Sequence, residues 1–127
     1  MENNLFRGKK RYGKGWAYGV PLELDINGMK VPAIVSGARK STDGFVLDYD
    51  EVLAETVGMD TGLTDKKGKK IFYGDILFDK EHNLSWVVEF SKEEGLWALG
   101  ESDALEAWQF SEMEIIGNIH DNPELVP

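Results

Sequence analysis

The chain contains no cysteine, and only two of its 127 residues are histidine. Without cysteine it can form no disulfide, no thiolate nucleophile and no Cys-ligated zinc site. His82 and His120 lie far apart in the sequence with no spacing typical of a metal-ligating pair, so we interpret each as a solvated surface residue. The sequence therefore predicts no bound catalytic metal, no cofactor and no hydrolase activity.

Long apolar runs are also missing. No stretch of roughly 18 apolar residues occurs, so no transmembrane helix is predicted and no membrane partner is expected. Residues 1–7 lack the apolar segment of a signal peptide. The expected location is the cytoplasm.

Positive charge is scarce in the C-terminal part of the chain. Residues 1–74 hold twelve Lys and Arg against ten Asp and Glu, a net of +2, whereas residues 75–127 hold two against thirteen, a net of −11. Nucleic-acid affinity comes largely from basic side chains that displace counterions from phosphates. Nucleic acid is therefore disfavoured as a partner of the whole chain, although a local basic edge stays compatible with it.

The residues that are present favour a mainly β fold. Hydrophobic residues make up 42% of the chain and fourteen are aromatic, enough for one core. Fourteen glycines are scattered among short apolar segments, and no long apolar stripe has the period of a helix. Strands are predicted over most of 70–78, 84–91 and 113–119. In the second of these, Leu84, Trp86, Val88 and Phe90 alternate with other residues, which predicts that all four lie on one buried face.

The N-terminal half is less regular. Segments 16–20 and 29–35 read as strands on either side of the turn Asn27-Gly28, a strong hairpin signal. Pro32 cannot donate to a sheet ladder, so its strand is expected at a sheet edge. Residues 36–44 are expected to form a boundary or a flexible loop.

Two short helical turns are also expected. Asp103 and Glu106 have the spacing of a capping pair. Asn122 followed by Pro123 reads as the start of a second helical turn.

Two blocks of sequence resemble the YopX family of phage and prophage proteins. The first lies within residues 55–76: Thr-Gly-Leu, an Asp-Lys turn with glycine, then an aromatic residue shortly before Gly-Asp-Ile. The second lies within residues 114–125: Ile-Gly-Asn-Ile, then Asn-Pro-Glu-Leu. The chain has His120 where members often carry an aromatic residue, and residues 8–50 show no family pattern.

The resemblance implies a phage or prophage origin and a small β-barrel of the YopX type. An SH3-like barrel is one form that this barrel could take. We expect an irregular β-rich N-terminal region at 1–50, a YopX-like barrel region at 51–127 and short helical turns. The resemblance implies no catalytic residue, since the family has no assigned chemistry to transfer.

Three aspartates could form a carboxylate cluster, namely Asp60, Asp65 and Asp75. Paired carboxylates can divide acid and base work when their environments separate their pKa values. However, aspartates in turns usually bind their own backbone, and that structural interpretation is preferred. Glycines 62, 68 and 74 are likewise interpreted as turn residues, because they lack the spacing of a phosphate-binding loop.

Basic residues cluster at 66–70 and near the N-terminus. Aromatic side chains between basic ones can stack on bases while the cations hold phosphates. The second cluster is therefore the candidate binding patch, although a solvated segment is the simpler interpretation. The patch consists of Arg7, Lys9, Lys10, Arg11, Tyr12, Lys14 and Trp16.

Three functions are compatible with these observations. The preferred one is a non-catalytic accessory module, encoded by a phage or prophage, that binds a host or phage protein or assembles with itself through a β surface in its N-terminal half. That self-association is expected to pair the basic segment with a neighbour's acidic face and to weaken at high salt. The alternatives are a nucleic-acid-associated protein that uses the basic N-terminal segment, and an enzyme that uses the region of Asp60, Asp65 and Asp75.

Overall fold

The structure is a computed structural model that describes residues 6–91, 96–99 and 110–127. Within these ranges the fold is mainly β, as predicted, and every strand pair is antiparallel. The strands are β1 (Phe6–Lys9), β2 (Trp16–Ile26), β3 (Met29–Ser41), β4 (Gly44–Glu51), β5 (Gly58–Thr64), β6 (Lys70–Phe72), β7 (Asp75–Asp79), β8 (Leu84–Ser91), β9 (Leu96–Leu99) and β10 (Glu114–Asn118).

Two 3-10 helices, Ala54–Thr56 and Pro123–Leu125, accompany the strands. The second confirms the helical turn predicted from Asn122, whereas the turn predicted at residues 103–106 lies outside the described residues. None of the helices in the part of the chain that the structure describes is long and apolar enough to cross a membrane.

The chain divides into two compact units, Met1–Met59 and Asp60–Pro127. Strand β5 contains the division, since Gly58 and Met59 pair with β1 whereas Asp60 and Thr64 pair with β6.

The first unit is an antiparallel meander in the order β4-β3-β2-β1, with the start of β5 beside β1. The predicted hairpin at Asn27-Gly28 is confirmed. Both residues have positive φ, 52° and 82°, as the two central residues of a type I′ hairpin turn require. Asp25 Oδ1 accepts a hydrogen bond of 3.0 Å from Gly28 N, which fixes the turn.

The prediction that the strand carrying Pro32 lies at a sheet edge is wrong, because β3 lies between β2 and β4. Pro32 is tolerated there because the β4 ladder stops one residue short of it, at Ala33 opposite Glu51. Pro32 then uses only its carbonyl, which accepts a hydrogen bond of 3.0 Å from Val52 N.

Residues 36–44 form neither a boundary nor a loop, contrary to the expectation. Strand β3 continues through Ser41 and returns as β4 after a two-residue turn. Its register shifts between Val35 and Gly37, so Ser36 is an extra residue in a bulge. The Ser36 hydroxyl donates to Asp48 O at 3.2 Å across the strand pair.

The first core consists of Ala17, Ile34 and Val52, with Phe6 and Val57 packed against it. A single bridge between Lys10 and Val52 joins the chain after β1 to the chain after β4. No continuous ladder closes either sheet among the described strands, so closure into a small barrel stays a prediction.

The second unit contains a sheet in the order β10-β7-β8-β9 and the pairing of β5 with β6. The strands predicted over 70–78, 84–91 and 113–119 are confirmed, with a turn between β6 and β7. The prediction that Leu84, Trp86, Val88 and Phe90 share one buried face is wrong for Leu84, which is 48% exposed, whereas Val88 is buried. The side chain of Phe90 lies outside the described residues. The core of this unit consists of Ile71, Leu77, Val88, Phe110 and Met113.

Candidate interaction surface

The predicted basic patch begins on β1, where Arg7 is buried rather than exposed. The Arg7 guanidinium carbon lies 4.6 Å from the centre of the Trp16 ring, a cation–π contact between neighbouring strands. Lys9 pairs with Trp16 in the β1–β2 ladder, and its backbone N donates to Thr56 Oγ1 at 2.8 Å. These three patch residues therefore contribute to the packing of β1.

The middle of the patch, at Arg11, contacts the end of β4. Arg11 N donates to Glu51 O at 2.9 Å, and the Arg11 guanidinium forms an ion pair with the Glu51 carboxylate. This pairing reduces the positive field of the segment. Tyr12 and Lys14 are exposed in the turn that follows, with Tyr12 73% exposed.

The second basic cluster, residues 66–70, is paired with carboxylates of its own unit. Lys67 Nζ lies 2.6 Å and Lys66 Nζ 3.6 Å from the Glu114 carboxylate. The hydrogen bond and charge of Glu114 raise the pKa of Lys67, and the same hydrogen bond lowers the pKa of Glu114. Lys70 Nζ lies 3.9 Å from Asp60 Oδ2. These carboxylates reduce the positive charge that the cluster offers to a phosphate.

Asp65 has a buried carboxylate that accepts hydrogen bonds from the backbone of two segments of the chain. Its Oδ1 accepts hydrogen bonds of 2.9 Å from both Lys67 N and Lys69 N, and its Oδ2 accepts one of 3.1 Å from Ile115 N. Burial alone would raise the pKa of Asp65, but the three N–H donors and the nearby Lys69 charge lower it below its usual range. The carboxylate is therefore held ionised, and its acceptor sites are occupied by the turn and by β10.

The other two candidate aspartates have similar roles. Asp75 is buried, and its Oδ2 accepts a hydrogen bond of 2.7 Å from Phe72 N across the β6–β7 turn. Asp60 Oδ1 accepts one of 2.8 Å from Gly62 N. The structural interpretation of these residues agrees with the observed hydrogen bonds, since each carboxylate binds local backbone.

His82 is exposed in the loop between β7 and β8, where its Nδ1 lies 2.7 Å from Asp79 Oδ2. The hydrogen bond and the charge of Asp79 raise the pKa of His82, and the pKa of Asp79 falls in return. Across the described ranges, no three His, Asp or Glu side chains converge in an arrangement that could hold a metal ion.

The most distinctive surface lies on strands β2, β3 and β4, on a side that we call the open face. Alternate residues of each strand point to it, because the register places Val20 opposite Val35 and Val35 opposite Tyr49. Seven large apolar side chains of this face are 37–75% exposed: Val20, Leu22, Ile26, Met29, Phe45, Leu47 and Tyr49.

Charge is almost absent from the open face. Only Lys40 and Glu51 belong to it within this part of the chain, and they lie near opposite ends of the β3–β4 ladder. The remaining charged residues of the three strands lie on the other side: Glu23, Asp25, Lys30, Arg39, Asp48 and Asp50. Two ion pairs there, Lys30–Asp25 at 3.4 Å and Arg39–Asp48 at 3.2 Å, agree with this assignment.

Sequence reasoning missed the open face. The signal is visible in β2, where Val20, Leu22, Leu24 and Ile26 alternate with Pro21, Glu23 and Asp25. Such alternation normally marks a strand with one buried side. Here the apolar side is the exposed one, and that inversion depends on which neighbours the strand packs against.

A shallow groove of about 240 Å³ also occurs in the first unit. It is lined mainly by apolar residues, among them Pro21, Pro32, Val52 and Val57, with Glu23 as its charged residue. Its volume is below the roughly 300–1,000 Å³ typical of small-molecule pockets. A small ligand site is therefore poorly supported there.

Comparison with known structures supports the fold. The crystal structure of protein EF1440 from Enterococcus faecalis is similar, with a TM-score of 0.63, 24% sequence identity and coverage of 97% of both chains. At that identity the likeness concerns the fold alone. The comparison with curated proteins finds no match.

The family model described as YopX protein matches residues 5–127. The match includes residues 8–50, where the sequence motifs had placed no family pattern. Because it spans nearly the whole chain, this protein belongs to the YopX family.

Proposed function

We propose that this chain is a non-catalytic protein-binding module, encoded by a phage or prophage, that acts in the cytoplasm of the host cell. The observation that carries the proposal is the open face of strands β2–β4. Monomeric soluble proteins rarely expose contiguous apolar patches larger than a few hundred Å², and larger ones mark interaction sites. The scaffold that we propose for it is the small β-barrel of the YopX type.

Several contacts support a non-catalytic role. Asp65 is held ionised by three backbone N–H donors, and Asp60 and Asp75 each accept a local backbone hydrogen bond. A general acid or base needs a carboxyl group that can exchange a proton with a bound substrate. The hydrogen bonds of these aspartates hold turns instead, which disfavours the enzyme alternative.

The nucleic-acid alternative rests on Tyr12 and Lys14, which are exposed in the turn after β1. Against it stand the burial of Arg7 and the ion pair between Arg11 and Glu51. Residues 1–59 contain eight Lys and Arg and eight Asp and Glu, a net charge of zero. A phosphate backbone would therefore find little net attraction on this unit.

Photo-crosslinking in the host cell tests the proposal. We would place p-benzoylphenylalanine at Tyr49, which is 43% exposed on the open face. The matched control is Val46, which is 42% exposed on the same strand but points to the opposite side. We expect irradiation to produce a discrete protein adduct from position 49 and none from position 46.

Each other outcome is informative. Absence of any protein adduct from position 49 would refute the protein-binding role. The same cross-linker at Tyr12 tests the nucleic-acid alternative, and a nuclease-sensitive adduct there without one at position 49 would favour that alternative.

A further inference from the structure

We propose that the open face binds the open face of a second copy of this chain, so that two β2–β3–β4 sheets pack against each other. This inference rests on the proposed protein-binding function and names its partner. Sheets that pack face to face lie about 10 Å apart and interdigitate the side chains of their inner faces. The open face provides such an inner face, since its large apolar side chains are exposed in the part of the chain that the structure describes.

The exposed area is suited to a dimer. The seven large apolar side chains of the open face together expose on the order of 700 Å², close to the roughly 800 Å² per partner of a standard interface. A twofold interface uses the same patch on both copies, so one apolar surface is sufficient. Phe45 and Tyr49 supply aromatic side chains of the kind that concentrate at the centre of interfaces.

The distribution of charge favours an interface between two copies that is formed by residues 1–59. The whole chain has a net charge of −9, and residues 1–59 have a net charge of zero, so residues 60–127 carry all of it. Two copies of an acidic protein repel each other wherever the acidic surfaces meet. An uncharged face on a neutral unit is the surface through which like copies approach at the smallest electrostatic cost.

This interface differs from pairing between a basic segment and an acidic surface, which is the mode expected from sequence. Ion pairs between exposed groups weaken with salt, because screening shortens the range of their attraction. An apolar interface between copies with the same net charge does not weaken, since salt screens only their repulsion. Raising the salt concentration therefore distinguishes the two modes of assembly.

The test uses two variants of the purified chain. Leu47→Glu places a carboxylate on the open face, and Val46→Glu places the same charge on the opposite side of the same strand. Both positions are 42% exposed, so neither variant buries the new charge within its own chain. Phe45→Ser, at a position that is 75% exposed beside the hairpin turn, is a second variant that removes apolar area without adding charge.

Sedimentation equilibrium over protein and salt concentration measures the assembly, and circular dichroism checks that each variant is folded. We expect a dimer of the parent chain and of Val46→Glu that persists or strengthens from 50 to 500 mM NaCl. Leu47→Glu and Phe45→Ser should each raise the dimer dissociation constant by at least about tenfold.

A parent chain that stays monomeric at every concentration would overturn the second-copy assignment. So would a dimer that dissociates with salt, or one that Leu47→Glu leaves intact. A monomeric chain whose position 49 still cross-links to a different protein in the cell would leave the proposed function standing and remove only this inference. A monomer that binds vesicles of neutral lipid through Leu47 would assign the open face to a membrane surface instead.

Discussion

Replacing Asp65 with asparagine tests the structural interpretation of the candidate carboxylates. Asparagine has nearly the same shape but no charge, and one of its two terminal atoms is an NH₂ group. If its oxygen keeps the bonds from Lys67 N and Lys69 N, the NH₂ group faces Ile115 N–H, so two donors point at each other. The variant therefore loses one acceptor and weakens two charge-assisted bonds.

The expected cost follows from these contacts. A hydrogen bond to a charged group contributes about 1.5–3 kcal/mol, and a buried donor left unsatisfied costs about 1–3 kcal/mol. Since the contributions are not additive, we expect Asp65→Asn to lower the free energy of unfolding by about 2–4 kcal/mol at neutral pH. Glu112→Gln, an exposed position in the same unit, removes the same charge and should change stability by less than about 0.5 kcal/mol.

Urea unfolding monitored by tryptophan fluorescence gives both free energies. The pKa of Asp65 is lower in the folded chain, so its stabilising contribution is present above the unfolded pKa of about 3.9 and is lost as pH falls through the folded pKa. The gap between the parent and Asp65→Asn should therefore narrow below about pH 4. Equal stability of Asp65→Asn and Glu112→Gln at neutral pH would refute the reasoning.

Two further predictions concern β2 and the β7–β8 loop. Gly19→Ala should lower the free energy of unfolding by at least about 3 kcal/mol, because a Cβ there would lie 2.1 Å from Val35 O at a φ of +154°; an unchanged urea midpoint would contradict this. Asp79→Asn should lower the pKa of His82 towards its ordinary value. An NMR titration measures this pKa, with His120 as the internal reference. An unchanged pKa of His82 in the variant would count against the His82–Asp79 pair. Because the pKa of His82 is raised and that of Asp79 lowered, the pair stabilises the fold between the two pKa values, and this contribution disappears above the pKa of His82 and below that of Asp79.

Local chemistry was sufficient to predict much of the fold. The Asn27-Gly28 hairpin follows from two residues that tolerate positive φ, and strands β7 and β8 follow from their aromatic and β-branched content. The same rules failed at Ser36-Gly37, which lie in the segment 36–44 that was expected to be a boundary or a flexible loop. Pairing with β4 holds that segment in a strand and accommodates the additional residue as a bulge.

The open face could not be assigned from the sequence because alternation identifies two faces without saying which one is covered. On β3, Ile34 lies among charged neighbours of the same face yet is fully buried, since Ala17 and Val52 pack against it. Val35 belongs to the apolar face and is only partly buried. The core is determined by elements distant in sequence, and local periodicity contains no information about them.

The signature blocks of the family have structural roles in this chain. In the C-terminal block, Asn118 Oδ1 accepts hydrogen bonds from His120 N at 3.0 Å and Asp121 N at 2.9 Å. Asn122 Oδ1 in turn accepts one of 3.2 Å from Asn118 N, and a Cβ on Gly117 would lie only 2.4 Å from that oxygen. The block thus requires glycine and two asparagines at these spacings to close the turn after β10.

Residues of the central block also build turns. Asp65 organises the turn before β6, and Asp75 closes the turn after it by accepting Phe72 N. Gly74, between the two strands, has a φ of +92°, which only glycine adopts without strain. Because the residues that identify the family build turns in this chain, we propose that a partner binds at another surface. In this chain the open face is such a surface, since its large apolar side chains are exposed.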